Sequence, residues 1–167
     1  MVTISLSPVQ PIPIDKIISE LRRSTNRDEV VRLACYGVVS AARSAVFLAR
    51  RKDFLKGWDG VGVSLSRDSV RNLWLPLSSP SLFRDVVTST QPYYGSPHFS
   101  AIDVLFQAIV QSHGGEMMIR PVLLQERLVA LICADGVSSG DIARKCIETI
   151  SGEVNSAFAK LLAANKP

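Results

Sequence analysis

The stretch from Met117 to Asp135, MMIRPVLLQERLVALICAD, constrains the fold of this chain more than any other. Two apolar runs, Met117 to Leu124 and Leu128 to Ala134, are separated only by Gln125, Glu126 and Arg127. A gap that short leaves room for a hairpin of two adjacent antiparallel strands. Side chains alternate along a strand, so Val129, Leu131 and Cys133 point one way and Leu128, Ala130, Ile132 and Ala134 the other. Both faces are apolar. Such a strand belongs in the middle of a sheet covered on both sides, so the hairpin predicts helices above and below it.

Upstream, residues 1–13 carry Pro8, Pro11 and Pro13 and read as an extended leader or linker edge. Ile14, Ile17, Ile18 and Leu21 then follow helical spacing, with Asp15 near the start and Arg22 and Arg23 at the end, as the helix dipole favours. Asn26 and Glu29, three apart, predict a capping box for a second helix through Val30, Ala34, Val38 and Ala41, ending near Ala42 or Arg43. The period changes at Ser44. Ala45 to Ala49 predicts a buried strand, Phe54 to Gly60 its neighbour, with Gly57, Gly60 and Gly62 marking a bulge or a departure from the sheet. A third strand is expected within Val70 to Leu77, and Pro76 places it at an edge.

Ser79 and Pro80 predict a helix start for the stripe Leu82, Phe83, Val86 and Val87. Gln91 to His98, QPYYGSPH, reads as a surface loop, and Ala101 to Gln111 as a helix with Ile102, Leu105, Phe106 and Ile109 facing the core. After the hairpin, Ser138 and Asp141 resemble a capping box for a long helix reaching about Ala163. Its residues Ile147, Ile150, Val154, Ala157 and Leu161 step alternately by three and four, which is a heptad seam. That seam requires a helical partner, either the chain's own N-terminal helices or the same helix of a second copy, in which case these five residues form a homodimer interface.

The size, 167 residues, suits one domain with a full core. We place it at 14–163, with 164–167 as a tail. The net charge of +4 rests on scattered basic residues, with only Arg22-Arg23 and Arg50-Arg51-Lys52 as small clusters, so no nucleic-acid partner is expected. Three cysteines, Cys35, Cys133 and Cys146, lie in apolar runs without CxxC spacing, which predicts buried free thiols in a reducing compartment such as the cytoplasm. No apolar run approaches the roughly 20 residues that span a bilayer, so no membrane insertion is expected. The two histidines, His98 and His113, fall in Gly- and Pro-rich loops and offer neither a catalytic triad nor a metal site. No glycine pattern of the Walker or Rossmann type opens a helix, and no cofactor is implied.

Several segments carry a family resemblance: Ala45 to Leu48 leading into Gly57-Trp58-Asp59-Gly60-Val61-Gly62, then Leu75-Pro76-Leu77 with Pro80-Ser81-Leu82-Phe83. Pro121-Val122, Arg127 to Leu131 and Ala134-Asp135 complete the set. Together they resemble GAF-type regulatory domains, in particular the GAF-like domains of bacterial signalling and motility proteins, over residues 14–163. The resemblance implies an α+β fold in α/β/α layers: a central antiparallel sheet of five or six strands, N- and C-terminal helices on one face, and short helices with a ligand pocket on the other. It implies a non-enzymatic sensory domain that dimerises through its terminal helices and binds a small ligand, or the same fold with a closed pocket docking a signalling partner. Relatives usually place a glycine in the hairpin turn, so a longer turn is expected here in which neither Gln125 nor Glu126 is strained.

The candidate ligand-binding residues are Trp58, Asp59, Phe83, Tyr93, Tyr94, His98, Arg120, Cys133 and Asp135. Trp58 would stack on a ligand that Asp59 orients, or else plug the core where the strand turns out. Tyr93, Tyr94 and His98 sit on a loop that lids the pocket in similar domains, or are ordinary surface aromatics. Some GAF-type proteins reduce free methionine sulfoxide with a thiol, but a cysteine in an apolar run with no local cation is inert, so no catalytic residue is assigned. Asp135 would accept hydrogen bonds from a ligand or from the turn that follows it.

Overall fold

The structure is a computed structural model, and it describes residues 12–165. Six antiparallel strands form one sheet in the order β3-β2-β1-β6-β5-β4. The strands are β1 (Ala42–Arg51), β2 (Phe54–Gly62), β3 (Trp74–Pro76), β4 (Tyr93–Gly95), β5 (Glu116–Leu124) and β6 (Arg127–Val137). The helices are α1 (Ile14–Arg23), α2 (Arg27–Val38), α3 (Arg67–Arg71), α4 (Leu82–Ser89), α5 (Ala101–Val110) and α6 (Asp141–Ala164). The anticipated α+β layering is present. Residues 1–11, the bulk of the expected leader, lie outside the described residues.

Alternation along the two central strands divides the apolar residues between two cores. Ala45, Phe47, Ala130, Ile132 and Ala134 pack under α1, α2 and α6. Val46, Leu48, Leu131 and Cys133 pack under α3, α4 and α5. Each large apolar side chain taken wholly out of water contributes about 1.5–3 kcal/mol, so a doubly covered strand is the strongest anchor available to the fold. The alternation expected along β6 breaks at its start. Val122 pairs with Ala130 but Leu123 with Leu128, which leaves Val129 as an extra, bulged residue. Val129 therefore joins Ala130 on the α6 side, and Leu128 joins the other core.

The α6 seam is part of this interior. Ile147, Ile150 and Val154 are 0% exposed, Ala157 6% and Leu161 9%, all in one cluster with Ile17, Leu21, Val30 and Ala34. The chain's own α1 and α2 are thus the seam's partner, and the expectation of a dimer interface at these five residues is corrected: they have no surface left to offer a second copy. Arg22 clamps the layer from outside through a paired contact with Glu153 at 2.8 and 3.2 Å.

Other boundaries depart from expectation for local reasons. α2 ends at Val38, because the Ser40 hydroxyl donates to the Gly37 carbonyl at 2.6 Å and Ala41 N–H reaches back to Val38, so Ala42 and Arg43 begin β1. Val70 and Arg71 belong to a helix that Ser66 caps, which confines the third strand to Trp74–Pro76 at the sheet edge. α3 sits directly on β2: a Cβ on Gly57 would stand 1.7 Å from the Val70 carbonyl oxygen, so only glycine fits there. Ser81, not Ser79, caps α4, and Gly140 precedes α6 without a side-chain cap. On α5, Ile102, Phe106 and Val110 are buried, while Leu105 faces outward at 42% exposure. The segment expected as a loop contains β4, which pairs with Met117 to Ile119 as the second edge.

The hairpin turn holds only two residues. Gln125 (φ 51°) and Glu126 (φ 67°) are both left-handed, in a tight turn that lets Leu124 pair with Arg127. A left-handed residue with a side chain costs about 1–2 kcal/mol, and here the pairing of two long apolar strands outweighs two such penalties. The longer, unstrained turn is not what forms.

Candidate functional site

The resemblance implies a ligand pocket between the sheet and the short helices α4 and α5. That volume is occupied by side chains. Phe83 of α4 and Phe106 of α5 are both 0% exposed, with ring centroids 4.8 Å apart, and Leu48, Ile119, Leu131 and Cys133 beneath them are equally buried. Phe83 and Cys133, expected at a ligand, are core residues.

The carboxylate nearest this face is tied into the scaffold. Asp103, 2% exposed, accepts from the Leu82 N–H at 3.1 Å, and its other oxygen takes a short hydrogen bond from the Ser100 hydroxyl. It thereby joins the start of α4 to the start of α5. The spacing Ser100 to Asp103 signals a helix cap, but nothing local signals that the same carboxylate serves a second helix.

The bulge expected among the glycines of β2 falls on Trp58. Phe47 pairs with Asp59 and Leu48 with Gly57, so Trp58 has no partner and both Trp58 and Asp59 turn toward α2. The indole stacks on Phe158 of α6 (6.1 Å, 26°), meets Phe47 edge-on at 5.7 Å, and donates from Nε1 to Asp28 of α2 at 2.7 Å. Asp59 is 5% exposed and receives Arg67 of α3 in a bidentate pair at 2.9 and 3.0 Å, plus the Gly60 N–H at 2.9 Å. With its oxygens so engaged, Asp59 is a structural clasp between β2 and α3, and the pair holds the Arg67 guanidinium above its usual pKa.

The lid residues do not converge either. Tyr93 leans on the α4–α5 core, donates from its hydroxyl to the Ser96 carbonyl at 2.5 Å, and meets the exposed His98 ring edge-on at 5.7 Å. The His98 carbonyl accepts from Gln107 Nε2 at 2.7 Å, which pins the loop to α5. Tyr94, paired with Met118, lies on the opposite face of the sheet under the Arg144 guanidinium, 4.1 Å from its ring centroid. Arg120 is also on that face, half-buried opposite Ile132, with a buried Nε that has no hydrogen-bond partner among the described residues.

Asp135 is 1% exposed and on the α5 side of β6. Its Oδ1 accepts from the Ser112 hydroxyl at 3.0 Å, while Oδ2 is buried without a hydrogen-bond partner among the described residues. Burial pushes its carboxyl above the usual range, against the Ser112 hydrogen bond and the charges of Arg43 and His113. Burial likewise pushes the Cys35 and Cys133 thiols far up, Cys35 with help from the Asp59 charge. Burial of this kind disfavours the thiolate, the form in which a cysteine acts as a nucleophile. Among the described residues, no three His, Cys, Asp or Glu side chains group to hold a metal ion, and no helix is long and apolar enough to cross a membrane.

No family model and no curated protein sequence matches this chain. Solved structures do. Residues 122 to 287 of a methyl-accepting chemotaxis protein superpose with a TM-score of 0.71 at 19% identity, covering 89% of this chain and 97% of that one. The GAF domain of a phosphoenolpyruvate-protein phosphotransferase from Coxiella burnetii gives 0.71 at 15% identity, over 90% and 93%. The free methionine-R-sulfoxide reductase of Neisseria meningitidis, solved in complex with its substrate, gives 0.68 at 11% identity, over 90% and 89%. In its fold, this chain is a GAF-like domain.

Proposed function

We propose that this domain is a non-enzymatic regulatory module of a signalling system, and that it works by docking a partner protein rather than by holding a small ligand. The observation that carries the reading is the packed contact of Phe83 and Phe106 over Leu131 and Cys133, which occupies the space a ligand would need between sheet and short helices. The scattering of Trp58, Tyr94 and Arg120 to the opposite face supports it, since a binding site requires polar groups that converge on one cavity. The similarity to a chemotaxis-protein domain and to a phosphotransferase GAF domain favours a regulatory setting over catalysis. The buried thiols argue against the chemistry of the sulfoxide reductase that shares the fold. A homodimer through the α6 seam has no place in this reading.

Native mass spectrometry of the protein purified from its own cells tests the proposal, together with thermal melts against nucleotides, tetrapyrroles and amino acids. The expected result is the bare chain mass and an unchanged melting temperature throughout. A retained stoichiometric small molecule, or a saturable rise in melting temperature with one compound class, overturns it.

A further inference from the structure

The two hairpin turns, Lys52-Asp53 between β1 and β2 and Gln125-Glu126 between β5 and β6, lie beside one another because β1 and β6 are neighbours. At that end of the sheet lie two recesses, one of about 390 Å³ on the α6 side and one of about 790 Å³ that wraps the strand ends from Leu162 of α6 to Leu128 and Thr90 at the end of α4. Both are lined by Arg50, Arg51, Leu124 and Val129, so they form one continuous groove. It runs from Arg27 and Trp58 past the C-terminal turns of α6 to Arg127.

The groove is strongly basic. Arg27, Arg50, Arg51, Lys52, Lys56 and Arg127 line it, against the single carboxylate of Glu126. None of the six cations forms an ion pair among the described residues, in which the ion pairs involve Arg22, Arg23, Arg67 and Arg144 instead. Along the sequence these cations looked scattered, and the fold gathers them. The floor between them is apolar: Ala49, Leu124, Val129, Ala130, Phe158 and one side of the Trp58 indole. Leu162 continues it at 37% exposure, and beyond Lys56, whose ammonium lies 4.6 Å over the Trp74 ring, Trp74 and Phe54 add 48% and 42% exposed aromatic surface.

We infer that this groove binds an acidic segment of a partner protein that carries apolar anchor residues, the Asp or Glu side chains meeting the rim and a Leu or Phe side chain entering the floor beside Phe158. The inference rests on the docking reading above and adds the surface and the chemistry of the partner. Charge complementarity selects an acidic occupant, because Arg27, Arg50, Arg51, Lys52 and Arg127, without ion pairs among the described residues, and Lys56, whose ammonium is held by the Arg71 carbonyl and the Trp74 ring, attract and orient a polyanion and repel a basic chain. The aliphatic floor selects a peptide over a nucleic acid. Single strands are held by successive open aromatic faces, whereas here Trp58 stacks on the buried Phe158, and beyond the rim Phe54 and Trp74 meet edge-on with Lys56 over the Trp74 ring, so the rings present no row of open faces.

Trp58 supplies the readout. In a Trp74→Phe background its fluorescence reports the groove alone, since the chain has only two tryptophans. Titration with a synthetic Glu-rich peptide containing Leu and Phe should give a saturable spectral change that weakens with added salt. An all-Glu peptide of equal charge should bind at least tenfold more weakly. Arg50→Glu/Arg51→Glu, at exposed positions, should weaken the mixed peptide at least tenfold with the melting temperature unchanged, and the charge-neutral Leu162→Ala should weaken it without altering the salt dependence. No spectral change, binding indifferent to the charge reversal, or tighter binding of a single-stranded oligonucleotide of equal charge overturns the inference. Crosslinking in the source cell separates this failure from that of the docking reading. A defined partner captured equally by native chain and charge-reversed variant leaves docking standing and removes the groove, whereas loss of that partner in the variant supports both.

Discussion

Gly37 of α2 and Ile150 of α6 meet so closely that a Cβ added to the glycine would stand 2.7 Å from Ile150 Cδ1 and 3.1 Å from Ile17 Cγ2. The helical layer therefore closes on a bare backbone at this point. Gly37→Ala is expected to cost about 1–3 kcal/mol by overpacking. Ile150→Val removes the offending methyl at a cost of about 1 kcal/mol. The double variant should then be more stable than the two single losses predict, and chemical denaturation of the four proteins measures that coupling.

Ile150→Asp separates a core seam from a subunit interface. With the side chain fully buried, the aspartate has no partner and no water, and the expected outcome is loss of the cooperative unfolding transition. A folded, monomeric Ile150→Asp protein in light scattering and circular dichroism would contradict the packing described for α6.

The hairpin turn holds removable strain. Replacing Gln125-Glu126 by Asn-Gly suits two left-handed positions, and should raise stability by about 1–2 kcal/mol while leaving the strand register unchanged. Urea midpoints of the two proteins, at equal m-value, check it.

Thiol accessibility follows burial. Of the three cysteines, Cys35 and Cys133 are buried and Cys146 is half-buried beside the Ser40 hydroxyl at 3.7 Å. A chromogenic disulfide reagent should label Cys146 first in the native protein, with Cys35 and Cys133 reacting only at the rate of unfolding. Rapid native labelling at Cys133 would reopen thiol chemistry for this domain.

Asp135 sets a pH dependence whose sign is definite. Its folded pKa is raised above the unfolded value, so the folded state binds more protons between the two, and this group makes the protein more stable as pH falls through that window. Above the folded pKa the cost of the buried charge is constant. Asp135→Asn should remove the gain in stability on mild acidification, measured as the change in urea midpoint between neutral and mildly acidic buffer.

The long apolar runs were readable because periodicity depends on residues close in sequence. The doubly apolar β6, the stripe of α1 and the seam of α6 all follow from spacing alone. What sequence could not convey depended on contacts from elsewhere. Whether Ile147 and Val154 faced α2 or another subunit is set by where the chain returns. β4 is only three residues between prolines and exists because β5 offers it an edge. Trp58 faces α2 because of one unpaired residue in β2, and a single bulge reverses every inference about which face carries a candidate side chain. The basic groove was the least legible feature, since Arg27, Lys56 and Arg127 join Arg50 and Arg51 only when two hairpin turns are set side by side.

The sheet that separates the two cores has a mechanical meaning. Phe83 and Ile150 lie on opposite sides of a partition one strand thick, and they belong to different clusters. Apart from the Asp59–Arg67 pair at the rim, damage on one side reaches the other through the strands. Losses from substitutions such as Phe83→Leu and Ile150→Val should therefore add as if the two had been made in separate molecules, until the shared strands give way together.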